Sequence, residues 1–451
     1  MTQTTHRSHW SNRWTFMLAT AGSAVGLGNI WKFPFMTGVN GGSAFVLVFL
    51  ACIVLVGIPL MMCEIMLGRR AQRNPVDGML ALAREAGASA LWKWVGVVGL
   101  FAGLLILAFY SVIAGWVLDY VVRAASGSFK GVDAAMAQSQ FNTFLATPLE
   151  LVLWHSLFMV MTMSVVARGV NAGLEQANKI LMPALFAILL VLLGYSMAVG
   201  NFAAAVRFMF TPDFSKITPG AVLSALGHAF FSLSLGMGAV MVYGSYLQRH
   251  VSIVRTTFYV AIAETAVGLL VGLAIFSLVF AYDLEPGAGP GLIFQTLPIA
   301  FGQMPAGNFF ATLFFLLVAF AAWTSAISLV EPAIAWLTEN TKLTRKQAAW
   351  LIGVTDWILG IAVALSFSVW KDVKLFFGLN IFDTLDKLTT NILLPLGGLL
   401  MALFAGWVMK TPHVQDELGL AGAPYRLWRF TIRFISPIAI LMIFMYLLGL
   451  V

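Results

Sequence analysis

Long apolar runs recur from one end of this chain to the other, separated by short polar segments. A membrane-crossing helix needs about 20 mostly apolar residues. On that criterion eleven spans are expected, at roughly 13–38, 43–68, 92–122, 148–167, 173–198, 219–246, 254–282, 306–338, 348–368, 376–408 and 427–450. Several exceed one straight crossing, so tilt, kinks or flanking turns must absorb the surplus. The segments between spans are too short for a soluble domain. The expected fold is an all-α polytopic membrane protein with a single transmembrane domain over 1–451, and the embedded helices must carry its function.

Composition agrees with the pattern. Of 451 residues, 60% are hydrophobic and 10% charged, against about 45–50% and about 25% in soluble domains. This excludes a soluble enzyme, a nucleic-acid module and a disordered scaffold. The net charge of +7 is ascribed to cationic loops rather than to a polyanionic partner. With the N-terminus in the cytoplasm, 18 of the 26 Lys and Arg residues fall on the inside and 8 outside. That asymmetry orients the chain in a cytoplasmic (inner) membrane, N-terminus in. The odd span count then puts the C-terminus outside. The first ten residues are polar, so no cleavable signal peptide is expected. Cys52 and Cys63 lie about 16 Å apart along one helix, beyond disulfide reach.

Two spans carry breakers at mid-depth. Span one contains Gly22-Ser23-Ala24-Val25-Gly26-Leu27-Gly28-Asn29, and span six contains Phe230-Phe231-Ser232-Leu233-Ser234-Leu235-Gly236-Met237-Gly238. Close helix packing through Gly22 and Gly26 is the ordinary account of the first. Each break, however, falls on the first helix of a block of five. That correspondence points to a transporter site between inverted repeats, here 13–198 and 219–408, with 427–450 as an added helix. Unwound backbone offers free N–H groups to a carboxylate and free carbonyls to a monovalent cation. Span eight adds an adjacent hydroxyl pair, Thr324-Ser325. Among ionisable residues at depth, which are costly and usually functional, Glu264 stands out. Glu64 and Glu331 lie nearer span ends, where snorkelling is an alternative. Asp356 has no assigned role, and His228 reads as a core residue.

The segments GSAVGLGNIWKFP, NGGSAF and VGIPLMMCEIMLGRR resemble spans one and two of the neurotransmitter:sodium symporters. FFSLSLGMG with YGSYL, and AAWTSAISLVEP, resemble spans six and eight. The resemblance covers essentially the whole chain. It implies the two-repeat, alternating-access fold of the family's bacterial amino-acid transporters, some of which have eleven helices.

The resemblance also implies roles. Sodium site one would use Ala24, Asn29, Ser232 and Glu264. Site two would use Gly22, Val25, Ala321, Thr324 and Ser325. Substrate would contact Ser23, Ala24, Gly26, Leu27, Gly28, Ile106, Tyr110, Phe231, Ser232, Ser234, Met237, Ala326 and Leu329. Lys32 with Asp386 would form an outer gate. Arg7, Trp10, Ser245, Tyr246, Glu331 and Glu339 would form an inner one. Gly173 and Pro183 match the family's unwinding motif in span five. The chloride-dependent branch has Tyr at Phe49, Gln at His228 and Asn at Glu264. The anion site therefore looks dismantled, with a fixed carboxylate in its place.

The expected activity is chloride-independent, sodium-coupled uptake of neutral hydrophobic L-amino acids, branched aliphatic or aromatic. Neither a nucleic-acid partner nor an obligatory protein partner is expected beyond the lipid bilayer. Gly26 argues against an amine substrate, because monoamine members carry Asp there. An intramembrane hydrolase is disfavoured, since no H-E-x-x-H motif occurs. A non-transporting nutrient sensor is the remaining rival, and sodium-gradient uptake separates it.

Overall fold

The computed structural model describes residues 9–285 and 291–447. Among them every regular element is helical. The first apolar stretch is two short helices, α1 (Arg13–Ala24) and α2 (Phe33–Val39), on either side of a break. Four continuous helices follow: α3 (Ser43–Ala71), α4 (Ala90–Ala125), α5 (Pro148–Val166) and α6 (Val170–Val199). The next stretch is divided again, into α7 (Pro219–Ser232) and α8 (Ala239–Ser245). The remaining long helices are α9 (Ile253–Ala281), α10 (Gly307–Asn340), α11 (Arg345–Leu365), α12 (Ile381–Val408) and α13 (Gly422–Leu447). Nine of the described helices are long and apolar enough to cross a membrane. Neither divided stretch reaches that length unbroken, although each is mostly apolar.

Helices dominate because hydrocarbon offers backbone groups no water, so each N–H must find its carbonyl within the segment. Starts are set by capping. Asn12 caps α1 in a reciprocal pair with Thr15, and Thr344 does the same for α11 with Gln347. Prolines shape the interiors. Pro34, Pro59, Pro298, Pro395 and Pro437 each follow a wide turn: Gly28–Lys32, Ile53–Gly57, Leu292–Thr296, Leu388–Leu393 and Thr431–Ile435. A proline lacks an N–H, and its ring crowds the carbonyl four residues back. The helix relieves both by admitting one extra residue to the preceding turn. Apolar residues continue on both sides of these turns, so the pattern alone reads them as plain helix.

The divided helices lie inside the bundle. Helix α1 packs against α6, α9 and α10, and α8 packs along α3. The most extensive pairing joins α4 to α10. Nearly every residue of α10 from Ala321 to Ala335 is buried. On the outside, α5, α6, α9, α11 and α13 expose Leu153, Ile180, Leu190, Ile262, Ile358 and Ile438. That apolar surface matches a hydrocarbon solvent. Cys52 and Cys63 are free thiols.

Candidate functional site

The two breaks meet at the centre. Helix α1 stops at Ala24, where Val25 turns extended. Helix α7 stops at Ser232, and Ser234, Gly236 and Gly238 then take positive φ angles of 55°, 83° and 76°. Glycine adopts such angles freely, whereas Ser234 must be held there. Its hydroxyl donates to the Ser23 carbonyl at 2.7 Å, tying one break to the other. The Ser23 hydroxyl in turn donates to Ser328 on α10 at 2.7 Å. The Gly236 N–H donates to the Glu64 carboxylate on α3 at 2.6 Å. Glu64 is therefore a fully buried support of the second break, not a snorkelling residue.

A cavity of about 20 Å³ lies between the breaks. It is lined by Ser23, Ala24, Gly26, Leu27, Gly28, Ile106, Tyr110, Phe231, Ser232, Ser234, Met237 and Leu329. Of the residues expected to meet substrate, Ala326 alone is buried elsewhere, while Ser325 joins the lining. The Leu27 N–H donates to the Tyr110 hydroxyl at 3.1 Å. A Cβ on Gly26 would stand 2.5 Å from the Ser325 hydroxyl and 2.8 Å from that of Tyr110. No larger residue fits that corner as it stands. The lining carries hydroxyls and apolar groups and no charged side chain.

Two oxygen-rich groups flank the cavity. In the first, Asn29 donates to the Glu264 carboxylate at 2.7 Å, and Thr265 donates to its other oxygen at 3.1 Å. The Ser232 hydroxyl faces the same carboxylate. Ala24 borders the cavity beside them. In the second, the Ser325 hydroxyl stands 3.2 Å from the carbonyls of Gly22 and Ser23 and 3.3 Å from that of Val25. The Thr324 hydroxyl turns back to the carbonyls of Phe320 and Ala321 at 3.1 Å. One hydroxyl has one proton, and the Ser23 carbonyl already accepts from Ser234, so Ser325 can satisfy only one of the Gly22 and Val25 carbonyls. This surplus of acceptors suits a cation, and unwound backbone in transporters supplies such ligands.

Phe33, Phe49 and His228 pack together as a cluster of three rings. Phe33 lies 5.0 Å from Phe49 and 6.0 Å from His228, centroid to centroid, and Phe49 lies 5.2 Å from His228. Among the described groups neither ring nitrogen of His228 has a hydrogen-bond partner.

The residues expected at the two gates form two separate groups of contacts. In one, Lys32 reaches Asp386 at 3.8 Å and lies 4.7 Å above the Phe231 ring. A vestibule of about 190 Å³ adjoins them. In the other, the Trp10 indole donates to the Tyr243 carbonyl at 3.1 Å, and the Trp10 N–H to that of Tyr246 at 3.2 Å. Tyr246 donates to Glu331 at 2.7 Å. Arg345 clasps the same carboxylate with both guanidinium nitrogens, at 2.9 Å and 2.5 Å. Ser245 lies buried on α8 and donates to Val242. Glu339 accepts from the backbone and side chain of Asn74 at 2.9 and 2.8 Å, at the start of the short helix Pro75–Ala86. Arg7 lies outside the described residues. The sequence reading missed Arg345 and also Glu175, which accepts from the Ser11 N–H at 3.1 Å and from Lys179 at 2.6 Å. The charge of each was its only signal. Gly173 lies in the wide turn Val170–Glu175, and Pro183 sits inside α6.

Comparison with known proteins agrees with this geometry. The profile of the Sodium:neurotransmitter symporter family matches residues 7–143 and 145–450. An uncharacterised sodium-dependent transporter of Bacillus subtilis, YhdH, is 39% identical over 444 residues, covering 98% of this chain and 97% of that protein. One from Haemophilus influenzae is 34% identical over 451 residues, covering 98% of each. The crystal structure of MhsT in complex with L-phenylalanine superposes with a TM-score of 0.90 at 43% identity, over 97% of this chain and 99% of that one. The chain belongs to the sodium:neurotransmitter symporter family and has its multi-pass membrane fold.

Proposed function

We propose that this member of the sodium:neurotransmitter symporter family takes up neutral hydrophobic L-amino acids, branched aliphatic or aromatic, with sodium and without chloride. The observation that carries the reading is the corner formed by Gly26, Tyr110 and Ser325. It sets the unwound backbone at Leu27 against the Tyr110 and Ser325 hydroxyls, polar partners that suit a carboxylate, and leaves no space for a side chain at position 26. The remaining walls, Ile106, Phe231, Met237 and Leu329, offer no charge. Burying an unpaired charged side chain against them would be costly. That MhsT was crystallised with L-phenylalanine supports the substrate class.

Two sodium ions enter as cargo in this reading. The substrate carboxylate completes the first ion's ligands from Ala24, Asn29, Ser232 and Glu264. The second ion sits among Gly22, Val25, Ala321, Thr324 and Ser325 and fastens α1 to α10. The Lys32–Asp386 gate faces outward and the Trp10 gate inward, in a cytoplasmic membrane with the N-terminus inside. The repeats 13–198 and 219–408 rock about the site, opening one gate at a time. A competition screen of all common amino acids against sodium-dependent binding by the purified protein tests this. The expected result is displacement by leucine, valine, phenylalanine, tyrosine or tryptophan. Tight binding of glutamate or lysine with no response to those would overturn it.

A further inference from the structure

Asn178 stands on α6 just past the wide turn Val170–Glu175 and is 1% exposed. Its side-chain N–H donates to the Leu174 carbonyl at 2.9 Å. That bond fixes which end of the amide points where. The amide oxygen, Oδ1, points away, and among the described groups it has no hydrogen-bond partner. It points at Gly22. A Cβ on Gly22 would stand 2.2 Å from this oxygen and 3.2 Å from the Thr324 Cβ. Gly22 and Thr324 both belong to the second oxygen group. An unsatisfied, fully buried amide oxygen therefore borders that group on its α6 side. Buried acceptors are rarely left so, because losing water without a replacement is costly. A cation supplies the missing partner.

The anchor of this side chain can move. Leu174 lies in the wide turn, beside Gly173. The turn is held to the N-terminal segment by Glu175, which accepts from Ser11, and by Asn171, which donates to the His9 carbonyl at 2.9 Å. Lifting the Trp10 segment removes both ties. The turn then loosens, the Leu174 carbonyl shifts, and Asn178 shifts with it.

Resting on the symport reading above, we propose that Asn178 is a further sodium ligand. Its oxygen receives the ion from the Gly22, Thr324 and Ser325 group and carries it toward the Trp10 end as the turn opens. An ion leaving by this route passes from a carbonyl-rich cradle to a single oxygen mounted on the element that unwinds. The opening of α6 thereby offers the departing sodium a ligand on the inward side.

The test uses the full chain, purified and in liposomes. Three quantities are read: the sodium concentration giving half-maximal amino-acid binding, net uptake into sodium-free vesicles, and amino-acid exchange with saturating sodium on both sides. Exchange does not require sodium to leave, whereas net uptake does. Asn178→Leu should keep exchange and lower net uptake by about five- to tenfold, the worth of one good polar contact. Asn178→Asp keeps the size and adds charge, so it should lower the sodium concentration needed for binding. Exchange and uptake that fall together in the Leu variant, or that both stay unchanged, would overturn the assignment. So would an Asp variant with unaltered sodium dependence, which decides alone if the Leu variant does not fold. A wild-type chain that binds no amino acid with sodium refutes the symport reading itself, before any variant is made.

Discussion

The Glu64 carboxylate accepts the N–H of Gly236 at 2.6 Å, across 172 residues of sequence. Gly236 stands where α7 has ended and α8 has not begun, so no helical carbonyl is available to its N–H. A carboxylate on the neighbouring α3 takes that role.

Replacing that acceptor should loosen the second break. Glu64→Leu leaves the Gly236 N–H unsatisfied, at about 1–3 kcal/mol. Glu64→Gln retains an acceptor and should cost less. Because the break forms one wall of the cavity, amino-acid affinity should fall in the order wild type, Gln, Leu. Isothermal binding and thermal unfolding of the three proteins check this. Equal affinities would mean that the bond does not shape the cavity.

The Gly26 corner gives a second expectation. Gly26→Ala places a methyl against the Ser325 and Tyr110 hydroxyls, so carboxylate binding should be abolished in a protein that still folds. Tyr110→Phe removes the hydroxyl without adding bulk. It should weaken amino-acid binding by about 1–3 kcal/mol, with little effect on an amine analogue that lacks the carboxylate. Equal losses for both ligands would remove Tyr110 from carboxylate recognition.

Much of this site was legible because its residues are local in sequence. Gly22 to Asn29 and Ser232 to Gly238 break their helices by composition alone, and the structure breaks them there. What stayed hidden depends on partners far away in the chain or across a helix end. Nothing near Glu64 announces Gly236. Nothing near Arg345 announces Glu331, whose carboxylate it clasps from the start of the next helix. Glu339, expected at a gate, also accepts two bonds from Asn74 at the start of the short helix Pro75–Ala86, which its own neighbours in sequence do not announce. Ser325 was assigned to one ion and also lines the substrate cavity. A single hydroxyl can serve both because α1 and α10 touch at the break.

That double position separates two variants otherwise expected to behave alike. Thr324 borders the oxygen group and does not line the cavity, so Thr324→Ala should raise the sodium requirement and leave amino-acid affinity at saturating sodium unchanged. Ser325→Ala removes an oxygen facing both, so affinity should drop even at saturating sodium. Linkage requires that sodium and amino acid tighten each other by the same factor. Titrating each ligand at fixed levels of the other reads that factor. Identical behaviour of the two variants would contradict the dual role of Ser325.

Transport should not need chloride, because Glu264 places a carboxylate where an anion is otherwise required. Two sodium ions in a poorly screened bundle repel one another strongly, and a zwitterionic substrate adds no net charge. The carboxylate beside the first ion offsets part of that repulsion. Asn29, Ser232 and Thr265 all turn toward it. Phe33, Phe49 and His228 pack against one another, with an apolar ring at position 49 in place of the hydroxyl that a chloride would need. Uptake should therefore persist when gluconate replaces chloride. Glu264→Gln keeps the size and hydrogen-bonding reach but loses the charge, so it should raise the sodium requirement by about tenfold or more, a cost of about 1.4 kcal/mol or above. Glu264→Ser opens space, and partial rescue by chloride should appear only when Phe49→Tyr and His228→Gln restore polar ligands around it. Wild-type uptake that collapses in gluconate, or a Glu264→Gln protein with unchanged sodium affinity, would show that the negative charge comes from elsewhere.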